Sequence, residues 1–162
     1  MDRAEFVTRF GGVFEHSAWI AERAFDRNET PAALDADWLH QALSDQFRAV
    51  TDDERMVVLR AHPDLAGKLA ISGELTDDSR TEQAGAGLDR LTAAEFARFT
   101  DLNTRYHARF GFPFIIAVKG LSKEEILHAF ENRIHHGRPE EVATACHEVE
   151  KIARLRLDSL TF

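Results

Sequence analysis

An all-α fold is predicted for this chain, a single-domain multi-helix bundle of about seven to nine helices with one buried extended segment. Three observations carry that prediction. Apolar residues recur at helical spacing through nearly the whole length. A hydroxyl residue followed three positions later by glutamate occurs at Thr51/Glu54, Thr92/Glu95 and Ser122/Glu125, each just before an apolar periodic run. That is the signature of a reciprocal N-terminal cap. Only one stretch, Phe112 to Gly120, breaks the helical rhythm, and its continuous apolar, β-branched character suggests a buried extended segment. With 162 residues, 44% of them hydrophobic, the chain can bury one core, and no Ser/Gly-rich linker or repeat marks a boundary within residues 1–162.

The elements follow in order. Phe6, Phe10 and Phe14, then Ile20, Ala24 and Phe25, mark an opening helical pair broken around Gly11-Gly12, and Asn28-Glu29-Thr30-Pro31 ends it. Trp38, Leu39, Ala42 and Phe47 face one way on the next helix. The helix capped by Thr51 runs through Met56 and Leu59 and must stop at His62-Pro63, because the residue before proline is pushed out of the α region. After a polar run, about one helical turn carries Ser79, Glu82 and Gln83 on a shared face. The helix capped by Thr92 bears Phe96, Phe99, Leu102 and Tyr106 and closes at Gly111. Beyond the extended segment, Ser122 opens a helix that Gly137 ends. Pro139 then suits the first turn of a last helix running through Val142, Val149, Ile152 and Leu157.

Composition narrows the function classes. A net charge of −8, from 20 basic and 28 acidic side chains, argues against a nucleic-acid binder, which needs a basic footprint. Cys146 is the only cysteine, so no intrachain disulfide forms and a reducing compartment is expected. The N-terminus lacks a basic-then-apolar leader and no apolar run reaches membrane-spanning length, so a cytoplasmic location is expected. There is no Gly-rich phosphate loop, no Ser-His-Asp order and no CxxC, and no cofactor is expected. His128, Glu131 and His135 imitate a metal-binding face, but without a cysteine or a dense carboxylate set no metal is expected.

The chemistry gathers between Ala61 and Gln83. There an imidazole at a helix break precedes a hydroxyl, a carboxylate and an amide, the groups that acid–base work on a small polar heterocycle requires. Each has a plainer reading. His62 could serve only to bind the last helix carbonyls, Ser79 to start a helix, and Glu82 to sit as a solvated first-turn acid. Arg154 and Arg156 lie among apolar residues of the last helix; such an arginine either pairs with an acid or aims its fork at a carboxylate or carbonyl. His16 stands beside Glu15 and Ser17, and its spacing does not say whether it is structural or near a site. The backbone of Phe114 to Val118 is either core or a pocket wall.

Several motifs in order resemble a known family. They are Phe10-Gly-Gly-Val-Phe-Glu-His-Ser-Ala-Trp19, Ala61-His-Pro-Asp-Leu-Ala66, Ser79-Arg-Thr-Glu-Gln83, Leu102-Asn-x-x-Tyr106, Arg109-Phe-Gly-Phe-Pro-Phe-Ile115 and Lys151-Ile-Ala-x-x-Arg156-Leu. Together they span nearly the whole chain and resemble the 2-oxo-4-hydroxy-4-carboxy-5-ureidoimidazoline (OHCU) decarboxylases, which complete the conversion of urate to (S)-allantoin. The resemblance implies an all-helical, cofactor-free and metal-free homodimer acting on a small ureidoimidazoline. It implies that His62 is the catalytic histidine. Pro63, the stretch Ser79, Arg80, Thr81, Glu82 and Gln83, and the segment Phe114, Ile115, Ile116, Ala117 and Val118 would bind substrate. Arg156 would be the C-terminal arginine that reaches the pocket, with Arg154 the alternative. Joined to the cluster read above, it leaves Glu82 either holding His62 or bonding the ureido N–H groups. Two rivals stand beside this reading: an enzyme of the same scaffold acting on another ureido or imidazoline compound, and a non-catalytic helical interaction module.

Overall fold

A computed structural model describes residues 1–162 as nine helices with no strand. The chain clusters into two compact units, residues 1–62 with 149–162, and residues 63–148.

The first unit holds α1 (Arg3–Phe10), α2 (Trp19–Arg27), α3 (Ala36–Arg48), α4 (Asp52–Arg60) and residues 149–158 of α9 (Arg138–Asp158). Asp2 and Glu5 make a reciprocal cap on α1, and Thr51 and Glu54 make the expected one on α4. Phe6, Phe10, Ile20, Leu39 and Phe47 are buried at helical spacing, with the Phe6 and Phe10 rings edge-to-face at 4.9 Å. Phe14 departs from expectation. It is buried, its ring 5.4 Å from Phe47, but it lies in the irregular link between α1 and α2. Its apolar spacing continues that of Phe6 and Phe10, but α1 ends at Phe10 with Gly11 as its C-cap, at the expected Gly11-Gly12 break.

The second unit holds α5 (Lys68–Ser72), α6 (Asp77–Gly85), α7 (Ala93–Phe110), α8 (Lys123–Arg133) and residues 138–148 of α9. The caps at Thr92/Glu95 and Ser122/Glu125 are both formed. The polar run contains the short helix α5, closed by Gly73. α6 starts two residues earlier than Ser79, because Thr76 caps it by accepting from the Ser79 N–H. Helix α8 ends at Arg133 rather than Gly137. The next amides turn back with tighter bonds, His135 to the Asn132 carbonyl and His136 to the Arg133 carbonyl.

Tyr106 is the hub of this unit's core, with Phe110, Phe112, Phe114 and Phe130 at ring separations of 4.5, 5.8, 5.5 and 5.8 Å. Of the stretch Phe112 to Gly120, residues Phe112 to Val118 are buried and belong to no helix or strand, as the sequence predicts, whereas Lys119 and Gly120 are exposed in a turn. Entry to the stretch is set by Gly111, which closes α7 in the left-handed region at φ 79°. A Cβ there costs about 1–2 kcal/mol. Gly111→Ala is accordingly expected to lower the free energy of unfolding by that amount, read as a lower urea midpoint, and an unchanged midpoint would refute the requirement.

Candidate active-site residues

In the first unit the chemistry centres on His62. Helix α4 ends at Arg60, Ala61 caps it, and the following imidazole turns back so that Nδ1 lies 3.0 Å from the Val58 carbonyl. A carbonyl only accepts, so Nδ1 carries the hydrogen and the neutral ring keeps its lone pair on Nε2. Burial pushes the His62 pKa down from 6.5 to about 4; the Val58 carbonyl and the Glu15 carboxylate oppose that shift, while Arg156 and His16 add to it. Near pH 7 the ring is therefore neutral, a base by constitution.

Arg156 and Glu15 form an ion pair at 2.8 Å with side chains only 6% and 1% exposed. Arg156 Nη1 also approaches the carbonyls of Gly12 and Val13, at 3.3 and 3.4 Å. The Ser17 hydroxyl donates to the Glu15 carbonyl at 3.0 Å, and His16 between them sits at φ 49°, uncommon for a residue other than glycine. Arg154 behaves differently. It pairs with Asp37 and Asp158 on the exposed side of α9, so of the two arginines Arg156 is the buried one that acts on His62.

In the second unit the loop after Pro63 is held through three of its backbone polar atoms and the Asp64 side chain. Gln83 Oε1 accepts from the Ala66 N–H at 3.0 Å and its Nε2 donates to the Asp64 carbonyl at 3.2 Å. Asn103 Nδ2 donates to the Leu65 carbonyl at 2.9 Å, and the Asp64 carboxylate meets His107 Nε2 at 2.6 Å. These bonds keep Ala66 at φ 51°. Gly67 is needed where it is, because a Cβ there would come within 2.6 Å of the Asp64 Cβ. Gln83 thus spends both ends of its amide on the loop, a bracing role the sequence did not suggest.

Along α6 the expected face forms. Ser79 and Gln83 are buried and Glu82 is half-buried, while Arg80 and Thr81 are exposed and Arg80 pairs with Asp77 at 3.3 Å. A cavity of about 460 Å³ lies against Gln83, Ala66, Leu88 and Phe96, which explains why Phe96 stays 37% exposed although it follows the apolar spacing of α7. No protein group accepts from the backbone N–H of Ile116, Ala117 or Val118, so this buried segment keeps donors for another acceptor. No cluster of three or more His, Cys, Asp or Glu side chains is arranged to hold a metal ion.

Four contributors were not singled out from sequence. Glu15 stands in the Phe10–Trp19 motif and beside His16, with no role assigned to it by spacing. Asn103 lies on the apolar stripe of α7 beside Leu102 and Tyr106, and a polar residue on such a stripe is the signal that would have found it. Arg133 and Glu141, buried and ion-paired at 2.6 Å in the second unit, carry no local signal, because each reads as a charge near a helix end.

A sequence model of the family described as OHCU decarboxylase matches residues 1–158. The 2-oxo-4-hydroxy-4-carboxy-5-ureidoimidazoline decarboxylase of Halalkalicoccus jeotgali is 44% identical, over 99% of this chain and 87% of that protein. That of Haloferax volcanii is 41% identical, over 97% and 89%. A crystal structure of (S)-allantoin synthase aligns with a TM-score of 0.78 at 32% identity over 98% of this chain, which spans 50% of that one. A crystal structure of OHCU decarboxylase in the presence of (S)-allantoin aligns with a TM-score of 0.69 at 25% identity, over 90% of this chain and 92% of that one.

Proposed function

The chain belongs to the OHCU decarboxylase family and is an OHCU decarboxylase, a carboxy-lyase, and from that premise we propose a cofactor-free conversion to (S)-allantoin and carbon dioxide with His62 as acid–base group. The observation that supports this reading best is His62 itself. It is a buried neutral imidazole with one nitrogen committed to Val58 and the other left basic.

The substrate carries a carboxylate and a hydroxyl on one ring carbon, next to a carbon–nitrogen double bond whose carbon bears the ureido group. When carbon dioxide leaves, the bonding pair moves toward that double bond, and the ring nitrogen takes a proton from water. Nε2 of His62 accepts the hydroxyl proton as the ring carbonyl forms. The imidazolium then returns a proton to one face of the ureido-bearing carbon, which sets the stereochemistry. The net change is one carboxylate and one proton converted to carbon dioxide and a C–H bond, so no redox partner is required.

Around this step, Arg156 supplies positive charge to a carboxylate or carbonyl oxygen on an otherwise acidic protein. Pro63 and the α6 residues Ser79, Arg80, Thr81, Glu82 and Gln83 are the proposed substrate-binding set, together with the amides of Phe114 to Val118. Within that set, burial favours Ser79 over the exposed Arg80 and Thr81, and Gln83 contributes chiefly by holding the loop after Pro63. Glu82 is proposed to bond the ureido N–H groups.

The test is circular dichroism on substrate freshly generated from urate, with and without the protein. Spontaneous decay leaves racemic allantoin and no lasting signal. Rapid growth of an (S)-allantoin signal is the expected result. A trace matching the protein-free reaction, from folded protein, would overturn both the activity and its stereochemical control.

A further inference from the structure

We propose that Arg133 is a positioning residue of the decarboxylation, which aims and polarises the Ile116 N–H as a donor to the substrate. The proposal rests on the reading above that the Phe114–Val118 backbone binds substrate, and it assigns the device that holds that backbone ready.

Arg133 sits at the end of α8 and is itself almost fully buried. Its Nη1 donates to the Ile115 carbonyl at 2.7 Å, and its guanidinium lies 4.4 Å above the Phe114 ring. Phe114 is also stacked on Phe130 at 3.9 Å and 7° from parallel, so two neighbours hold the ring. Arg133 is fixed in turn by Glu141, with Nε and Nη2 both on Oε1, at 2.7 and 2.6 Å. The fully buried Glu141 also accepts from the Tyr106 hydroxyl at 2.6 Å, and its other oxygen lies 3.2 Å from His136 Nδ1. Burial and Glu141 push the Tyr106 phenol far above its ordinary range, so it remains a donor at every working pH.

The consequence follows from the peptide unit. The Ile115 carbonyl and the Ile116 N–H belong to one planar trans unit and point in opposite directions. Holding the carbonyl on Arg133 therefore sets the direction of the N–H, away from the guanidinium. A charged donor on the carbonyl also makes that N–H a stronger donor. The Ile116 N–H is one of the amides for which the protein offers no acceptor. A segment with no ladder of its own needs such an anchor if its donors are to hold one geometry. Stability alone does not call for the arrangement, since a buried ion pair is commonly no more stabilising than apolar residues of the same volume.

Arg133→Lys keeps the charge but loses the planar fork that grips Ile115 and Glu141 together. It is expected to lower kcat by about 10- to 100-fold while KM changes far less, because a misaimed donor costs most where charge develops. The Ile116 amide proton resonance should move upfield in this variant before any ligand is added. Tyr106→Phe separates the alternative. It removes one bond to Glu141 and should lower the melting temperature with kcat and KM unchanged. Wild-type kcat and KM in folded Arg133→Lys would overturn the proposal. Should that variant not fold, Glu141→Gln withdraws the charge that fixes Arg133 at nearly constant shape, and wild-type kcat there would overturn it equally. A titration of labelled wild-type protein with (S)-allantoin tells the two levels apart. If the amides of Ile116 to Val118 do not shift, the substrate-binding reading of the segment fails and this proposal with it. If they shift while Arg133→Lys stays fully active, only the role of Arg133 fails.

Discussion

His62→Asn is expected to lower kcat by a factor of about 10²–10⁴, the range for a lost general acid–base group, while the protein stays folded at neutral pH. Asparagine suits the test because its amide nitrogen can take the place of Nδ1 and keep the bond to Val58, while nothing replaces Nε2. The same residue sets the pH dependence. Its folded pKa of about 4 lies below the 6.5 of an exposed imidazole, so between those values the unfolded chain binds the extra proton. The stabilisation that comes with the buried neutral ring is present above pH 6.5 and is lost as pH falls toward 4. In wild type the acid limb of kcat/KM should therefore appear near pH 4 rather than near 6.5. Urea titrations at pH 7.5 and 5 should show a smaller loss of stability for His62→Asn than for wild type. An acid limb near 6.5 would contradict the buried neutral ring, and near-wild-type turnover in the asparagine variant would remove His62 from the mechanism.

Arg156→Met should be strongly destabilising. It leaves the Glu15 carboxylate inside the protein without the guanidinium that neutralises it, and breaking a buried pair from one side costs about 3–5 kcal/mol. Activity should be lost with it. Stability and catalysis can be separated by removing both charges. Arg156→Met with Glu15→Leu is expected to recover most of the lost stability in urea denaturation, because no lone charge remains. The double variant should nevertheless stay inactive, since the positive charge proposed to meet the substrate is gone. A double variant with wild-type turnover would reduce Arg156 to a structural partner of Glu15. A single variant within about 1 kcal/mol of wild type would mean that the pair is solvated rather than buried.

The elements legible in the sequence share a physical property: each is decided within a few residues. The caps at Thr51, Thr92 and Ser122 are bonds between positions three apart, and all three form. The helix exit at His62 follows from the clash of Pro63 with an α conformation, and the close of α7 from the one residue that accepts a positive φ freely. The buried, non-helical Phe112–Val118 segment announced itself by lacking any period. Where only weak local preferences competed, the reading blurred. Helix α5 hid in a polar run, and α8 ended at Arg133, where the next amides close tighter bonds instead of continuing the α pattern.

By itself, then, the sequence determined the helical class, most helix boundaries and, through its ordered motifs, the family. It could name His62, Ser79, Glu82, Gln83 and Arg156 as candidates, because residue type and short-range spacing suffice for that. Only the tertiary structure decided that Arg156 rather than Arg154 faces inward against Glu15, that Gln83 and Asn103 brace the loop after Pro63, and that Arg133 holds the Ile115 carbonyl. The same holds for the protonation state of His62, whose ordinary pKa would leave it ambiguous near neutrality. These outcomes depend on which groups are withdrawn from water beside which others. Charge interactions and hydrogen bonds change in strength with burial, and burial is a property of residues distant in the chain that spacing along it cannot express.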